Sequence, residues 1–123
     1  MNGNEFVEAV KSHVRDVAVE DTIEFIKRPP GRKPRKKHVE LSNWYNGLSE
    51  GDRNMVARMM EEAVDSSLFG LFCVIDGVRT IEESEEKTNF QLFGFKDDEQ
   101  TLINNEDDES LHDIYNTLTN AQD

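Results

Sequence analysis

"FCVIDGVRTI" (Phe72–Ile81) decides how much sheet this chain contains. Asp76-Gly77 is a favoured pair for a two-residue type I′ turn, whose central positions both need positive φ, and it stands between two runs rich in β-formers. The pair predicts a hairpin over Phe72–Ile81, with Ile75 opposite Val78 and Cys73 opposite Thr80. The upstream run is apolar on both faces, as a central strand would be. The competing reading carries the preceding helix on to Leu71 or Phe72.

Downstream, "TNFQLFGF" (Thr88–Phe95) predicts a third strand and "QTLIN" (Gln100–Asn104) a fourth, which completes an antiparallel meander. "ESLHDIYNTL" then places Leu111, Ile114, Tyr115 and Leu118 on one helical face. Upstream, Ser49 supplies an N-cap, with Glu50 and Asp52 in the first turn, where the helix dipole favours acids. Met55, Val56, Met59, Met60, Ala63 and Val64 follow at helical spacing, so a helix runs from Ser49 to about Asp65. "VELSNWYNGL" (Val39–Leu48) predicts a shorter helix that turns Leu41, Trp44 and Tyr45 to the core and stops at Gly47. At the N-terminus, Phe6, Val10, Val14 and Val17 share one face, while Val19, Ile23 and Ile26 share a nearly opposite one. Either one helix is buried on two sides or the chain breaks near 17–20. Pro29-Pro30 ends this helical region, since proline lacks the amide donor and restricts its predecessor. The element order predicts an α+β fold, a small antiparallel β-meander of three to four strands packed against about four helices, in a single domain over residues 1–123.

Charge is distributed unevenly. "KRPPGRKPRKKH" (Lys27–His38) holds seven of the fourteen basic residues and no acid, so the other seven stand against all 26 acidic residues in a chain of net charge −12. Three prolines and a glycine among like charges make the stretch an extended loop. Its cations Arg28, Arg32, Lys33, Arg35, Lys36 and Lys37 are candidates for phosphate contacts. The stretch resembles an AT-hook, matching it in type at Gly31, Arg32 and Pro34, with Lys33 standing where the hook core passes directly from arginine to proline. Two other readings of the loop are a wet spacer whose charges dock on acidic surface, and a protein-docking element.

The acids gather in "EESEE" (Glu82–Glu86) and "NEDDE" (Asn105–Glu109). Connections in a meander alternate ends, so Glu82, Glu83, Glu85, Glu86, Glu106, Asp107, Asp108 and Glu109 should form one acidic rim. A field of that sign attracts basic partners and accelerates their association.

Little in the chain points to catalysis. His112 and Asp113 are adjacent on a helix and diverge by about 100°, and no histidine pair sits at the i, i+3 or i, i+4 spacing of a helical metal site. Cys73, the single cysteine, sits in the most apolar run, where a thiol is inert, and it admits no intrachain disulfide. There is no glycine-rich phosphate loop, serine elbow, CxxC pair or calcium-wrapping acid pattern. No metal and no cofactor is expected. The longest central apolar run, "LFGLFCVI", is far short of the roughly twenty residues of a membrane span. No secretory leader is visible, and cytoplasm is the expected compartment.

Leu41–Glu82, together with "LHDIYNTL" near the end, resembles a small family of uncharacterised bacterial or phage-associated proteins. The resemblance implies a small cytosolic bacterial domain and brings no activity or catalytic residues with it. Three functions follow from the residues. The first is a non-catalytic interaction protein whose acidic rim binds a basic protein, as immunity proteins and inhibitors do, with Trp44, Tyr45 or Tyr115 as aromatic anchors. The alternative is a nucleic-acid-associated regulator working through residues 27–37. An enzyme built on His112 and neighbouring acids comes third.

Overall fold

The computed structural model describes residues 1–120. The chain opens with α1 (Gly3–Val10), a π-helical turn (Lys11–Arg15) and α2 (Asp16–Lys27), which run on as one unbroken rod. Asn2 starts the rod with a reciprocal capping box, its side chain accepting from the Glu5 amide while the Glu5 carboxylate accepts from the Asn2 amide. The sequence admitted a break near 17–20, and none is present. The apolar face changes because the wider π turn takes up one extra residue. Before it the buried side is carried by Val7, with Phe6 and Val10 packed alongside; after it by Val19. Val14 and Val17 swing out to solvent.

Three helices follow: α3 (Lys36–Asn46), α4 (Glu50–Ile75) and α5 (Leu111–Asn120). Ser49 caps α4 as expected, its side chain accepting from the Asp52 amide. Tyr45 of α3 is buried, but Leu41 and Trp44 are about half exposed and do not turn to the core as the sequence suggested. The covered stripe of α3 is instead His38, Ser42 and Tyr45. His38 meets Phe25 edge-on, and Ser42 Oγ and Asn46 Nδ2 donate to the Lys27 carbonyl, satisfying an acceptor that the end of α2 leaves open.

The hairpin expected over Phe72–Ile81 does not form, because α4 continues through Ile75. Asp76-Gly77 ends that helix in a Schellman motif. The Gly77 amide donates to the Val74 carbonyl at 3.1 Å and the Val78 amide to the Cys73 carbonyl at 3.0 Å. Gly77 has φ +82, the left-handed conformation such a cap requires. Gly77→Ala is therefore expected to lower stability by about 1 kcal/mol, the left-handed strain less the entropy removed from the unfolded chain, measured by urea denaturation.

The sheet has two antiparallel strands rather than three to four, β1 (Phe93–Lys96) and β2 (Glu99–Leu102). Phe93 pairs with Leu102 and Lys96 with Glu99. The two-residue turn is Asp97-Asp98, with φ of 52° and 65°, so the primed turn of this chain is built on an aspartate pair. The expected third and fourth strands are thus the two arms of one hairpin, each shortened. With helices and one antiparallel sheet, the fold is α+β.

The core forms where α5 packs against α1 and α4. Val7, Phe72, Ile103, Leu111, Ile114 and Tyr115 are buried together, and the Phe72 ring meets Tyr115 at 5.4 Å and Phe6 at 6.3 Å. Each such side chain contributes roughly 1.5–3 kcal/mol on burial. The start of α1 approaches so closely that a Cβ on Gly3 would lie 2.8 Å from the Ile103 carbonyl oxygen, so glycine is needed there.

Candidate functional site

Two long connections carry the eight acids singled out from the sequence. The first leaves α4 at Asp76 and returns at Leu92; the second leaves β2 near Ile103 and ends at Leu111. Side-chain hydrogen bonds root both at the C-terminal end of α4. Asn104 is the main tie. Its Nδ2 donates to the Ile75 carbonyl at 3.0 Å and to the Phe90 carbonyl at 2.9 Å, and its Oδ1 accepts from the Leu92 amide at 2.7 Å. Asp76 is the second tie. Its Oδ2 accepts from the His112 amide at 2.9 Å and lies 2.7 Å from His112 Nδ1, fixing the start of α5 to the end of α4. Both acidic connections thus issue from one end of the molecule, through these two hubs rather than through the alternation of a meander.

Within the first connection Glu82 is half-buried and holds the loop together. Its carboxylate accepts from the Thr88 amide and hydroxyl, and its carbonyl accepts from Lys87 Nζ. Glu83, Glu85 and Glu86 are exposed, as are Glu106, Asp107, Asp108 and Glu109 in the second. Among the described residues none of the eight forms an ion pair.

Between the roots of the two connections lies a cleft of about 260 Å³, lined by Asp76, Phe90, Gln91, Asn105, Glu106 and Asp107 among others. Asp76 is the unusual member. Its side chain is only 7% exposed, and its Oδ1 makes no hydrogen bond among the described residues.

The basic segment lies elsewhere, joining α2 to α3. Arg28, Arg32, Lys33 and Arg35 are in the connection, whereas Lys36 and Lys37 already belong to the first turn of α3. None of the six is in an ion pair among the described residues, so the docking of these charges on the chain's own acids is not seen. Arg35 occupies the N-cap without a side-chain hydrogen bond to the helix. Cations at that end oppose the helix dipole, and Lys36→Glu is expected to raise stability by about 0.5 kcal/mol in thermal or urea unfolding.

The most elaborate polar cluster escaped the sequence reading. Arg15 Nε and Nη2 grip both oxygens of Asp65 at 2.9 and 3.0 Å, Nη1 reaches Asp16 at 3.0 Å, Lys11 bonds Asp16 at 3.1 Å, and the Tyr115 hydroxyl donates to Asp65 at 2.7 Å. The π turn sets Arg15 toward α4, and the cluster borders an open cleft of about 700 Å³. The Arg15 hydrogen bond holds the Asp65 carboxyl below its ordinary range, while burial and then the bond to Asp65 push the Tyr115 hydroxyl up. Because Arg15 and Lys11 already hold carboxylates of this chain, the cluster fastens the first rod to α4 and α5 and offers no unpaired cation to a ligand.

His112 is closed in by Asp76 on one side and, at 3.6 Å, Asp113 on the other, with the Phe69 ring edge-on. Its neighbours orient it, and no nucleophile converges on it in the hydrogen bonds of this end. Cys73 is buried, and burial pushes its thiol up, away from the reactive thiolate. Among the described residues no group of three or more potential ligands could hold a metal ion, and no helix is long and apolar enough to cross a membrane. Comparison with protein-family models, curated proteins and solved structures found no match.

Proposed function

We propose that the protein is a non-catalytic interaction module that captures a basic protein through the two acidic connections at the C-terminal end of α4. The observation that supports this reading is the shared root: Asn104 and Asp76 tie both connections to one helix end, while seven of the eight carboxylates stand exposed and, among the described residues, without an ion pair. Concentrated charge of one sign raises encounter rates with an oppositely charged partner and makes them salt-dependent. Two variants test the reading by stopped flow with a labelled twenty-residue Lys/Arg peptide. In one, the eight connection acids become amides; in the other, eight helix acids do (Glu8, Glu20, Asp21, Glu24, Glu40, Glu50, Glu61 and Glu62), leaving both at the same net charge. Association is expected to slow by at least tenfold in the first and far less in the second. Equal slowing in both would reduce the effect to net charge and contradict the reading.

A second reading is favoured by the basic segment. Cations at the N-terminal end of α3 work against the dipole and form no ion pair among the described residues, which suits contact with phosphates. Anisotropy of a labelled random-sequence DNA duplex, at low and physiological salt, tests it. Binding that survives physiological salt and disappears when Lys27–Lys37 is neutralised would support a nucleic-acid arm. Absence of binding under both conditions would remove it.

A further inference from the structure

Resting on the acidic-capture reading, we infer that the 260 Å³ cleft between the roots of the two connections is the socket for one arginine side chain of the basic partner.

Three features of the cleft select this occupant. Asp76 presents an unpartnered Oδ1 from a side chain that is more than nine-tenths buried. A carboxylate so placed, with its other oxygen occupied by His112, gains most from a donor that brings both a positive charge and directed N–H groups. Glu106 and Asp107 add negative charge at the mouth. Gln91 contributes a side-chain amide to the lining, Asn105 lies beside it with its Oδ1 accepting from the Asp107 amide at 3.0 Å, and Phe90, 38% exposed, offers an aromatic wall. A guanidinium suits this surround better than an ammonium. It has five N–H donors in a plane, sheds water more readily and stacks on aromatic rings. The exposed acids would then steer the encounter, and the buried anchor would set the residence time, the division found where a few well-packed arginines carry most of an interface's energy.

The test is calorimetric, at physiological salt. Three twenty-residue peptides identical except at their basic positions are titrated: all lysine, all lysine with one central arginine, and the same peptide with citrulline at that central position. The single arginine is expected to tighten binding about tenfold over both others, and the gain is expected to vanish in Phe90→Ala and in Asp107→Asn, checked by circular dichroism to be folded. Equal affinities of the arginine, lysine and citrulline peptides would overturn the socket while leaving acidic capture standing. An arginine gain that persists in both variants would also overturn it, by placing the arginine elsewhere. Failure of every peptide to bind even at low salt would remove the socket and the capture reading together.

Discussion

Replacing Asp65 with alanine is expected to lower the free energy of unfolding by about 2 kcal/mol, since removing one member of a partly buried ion pair leaves Arg15 with Asp16 alone and the Tyr115 hydroxyl without its acceptor. Asp65 accepts both arms of the Arg15 guanidinium and the Tyr115 hydroxyl, and the side chains of Arg15 and Asp65 are 18% and 24% exposed. The loss therefore reaches three helices at once: the rod at its π turn, α4, and α5. Urea denaturation at pH 7 measures it. The pH dependence follows from the direction of the shift. The Asp65 carboxyl is held below its ordinary range, chiefly by the Arg15 hydrogen bond, so its contribution is complete above the unfolded value near 4 and is lost as pH falls through the lower folded value. The stability gap between wild type and Asp65→Asn is expected to be widest at neutral pH and to shrink below about pH 4. A gap that stays constant down to pH 3 would mean that the carboxylate charge is not what Arg15 holds.

Asn104→Ala is expected to cost about 2–3 kcal/mol and to impair capture of the basic peptide as well. One side chain serves the Ile75 and Phe90 carbonyls and the Leu92 amide, and its removal leaves all three without that partner. Because it ties the acidic connections to α4, its loss lets them part while every carboxylate is retained. The expected pattern is a lowered urea midpoint together with slower association at unchanged net charge. Asn104→Asp keeps the acceptor for Leu92 but sets a carboxylate oxygen against the Ile75 and Phe90 carbonyl oxygens, so it should be at least as destabilising as alanine. Association as fast as wild type in a destabilised Asn104→Ala variant would separate the tie from function.

The sequence showed its helices more clearly than its sheet, for physical reasons that can be traced to particular residues. Ser49 and the acids after it mark the start of α4 because caps and dipole effects are local. Its end was misread because a glycine with positive φ serves equally as a type I′ turn residue and as a Schellman cap. What decides between them is the state of the preceding run. Leu68, Phe72 and Ile75 are spaced at four and three residues, the helical period that the apolar neighbours Leu71 and Val74 obscured. The real primed turn lies at Asp97-Asp98, where short polar side chains tolerate the left-handed region without a glycine. The rotation of the first rod's apolar face was legible as two stripes, but the π turn that produces it was not. The ties at the acidic end were beyond reach, since Asn104 bonds a residue 29 positions away and Asp76 one 36 positions away. Asparagine and aspartate carry no periodic signal to announce such partners.

The most direct test of a single acidic surface is an NMR titration of the uniformly labelled protein with the arginine-containing peptide. Amide shifts are expected to move together over residues 82–92 and 104–112, fitting one dissociation constant, while α2 and α3 stay still. Shifts confined to one connection, or two connections titrating with different constants, would contradict the claim that Asn104 and Asp76 make one binding surface of them.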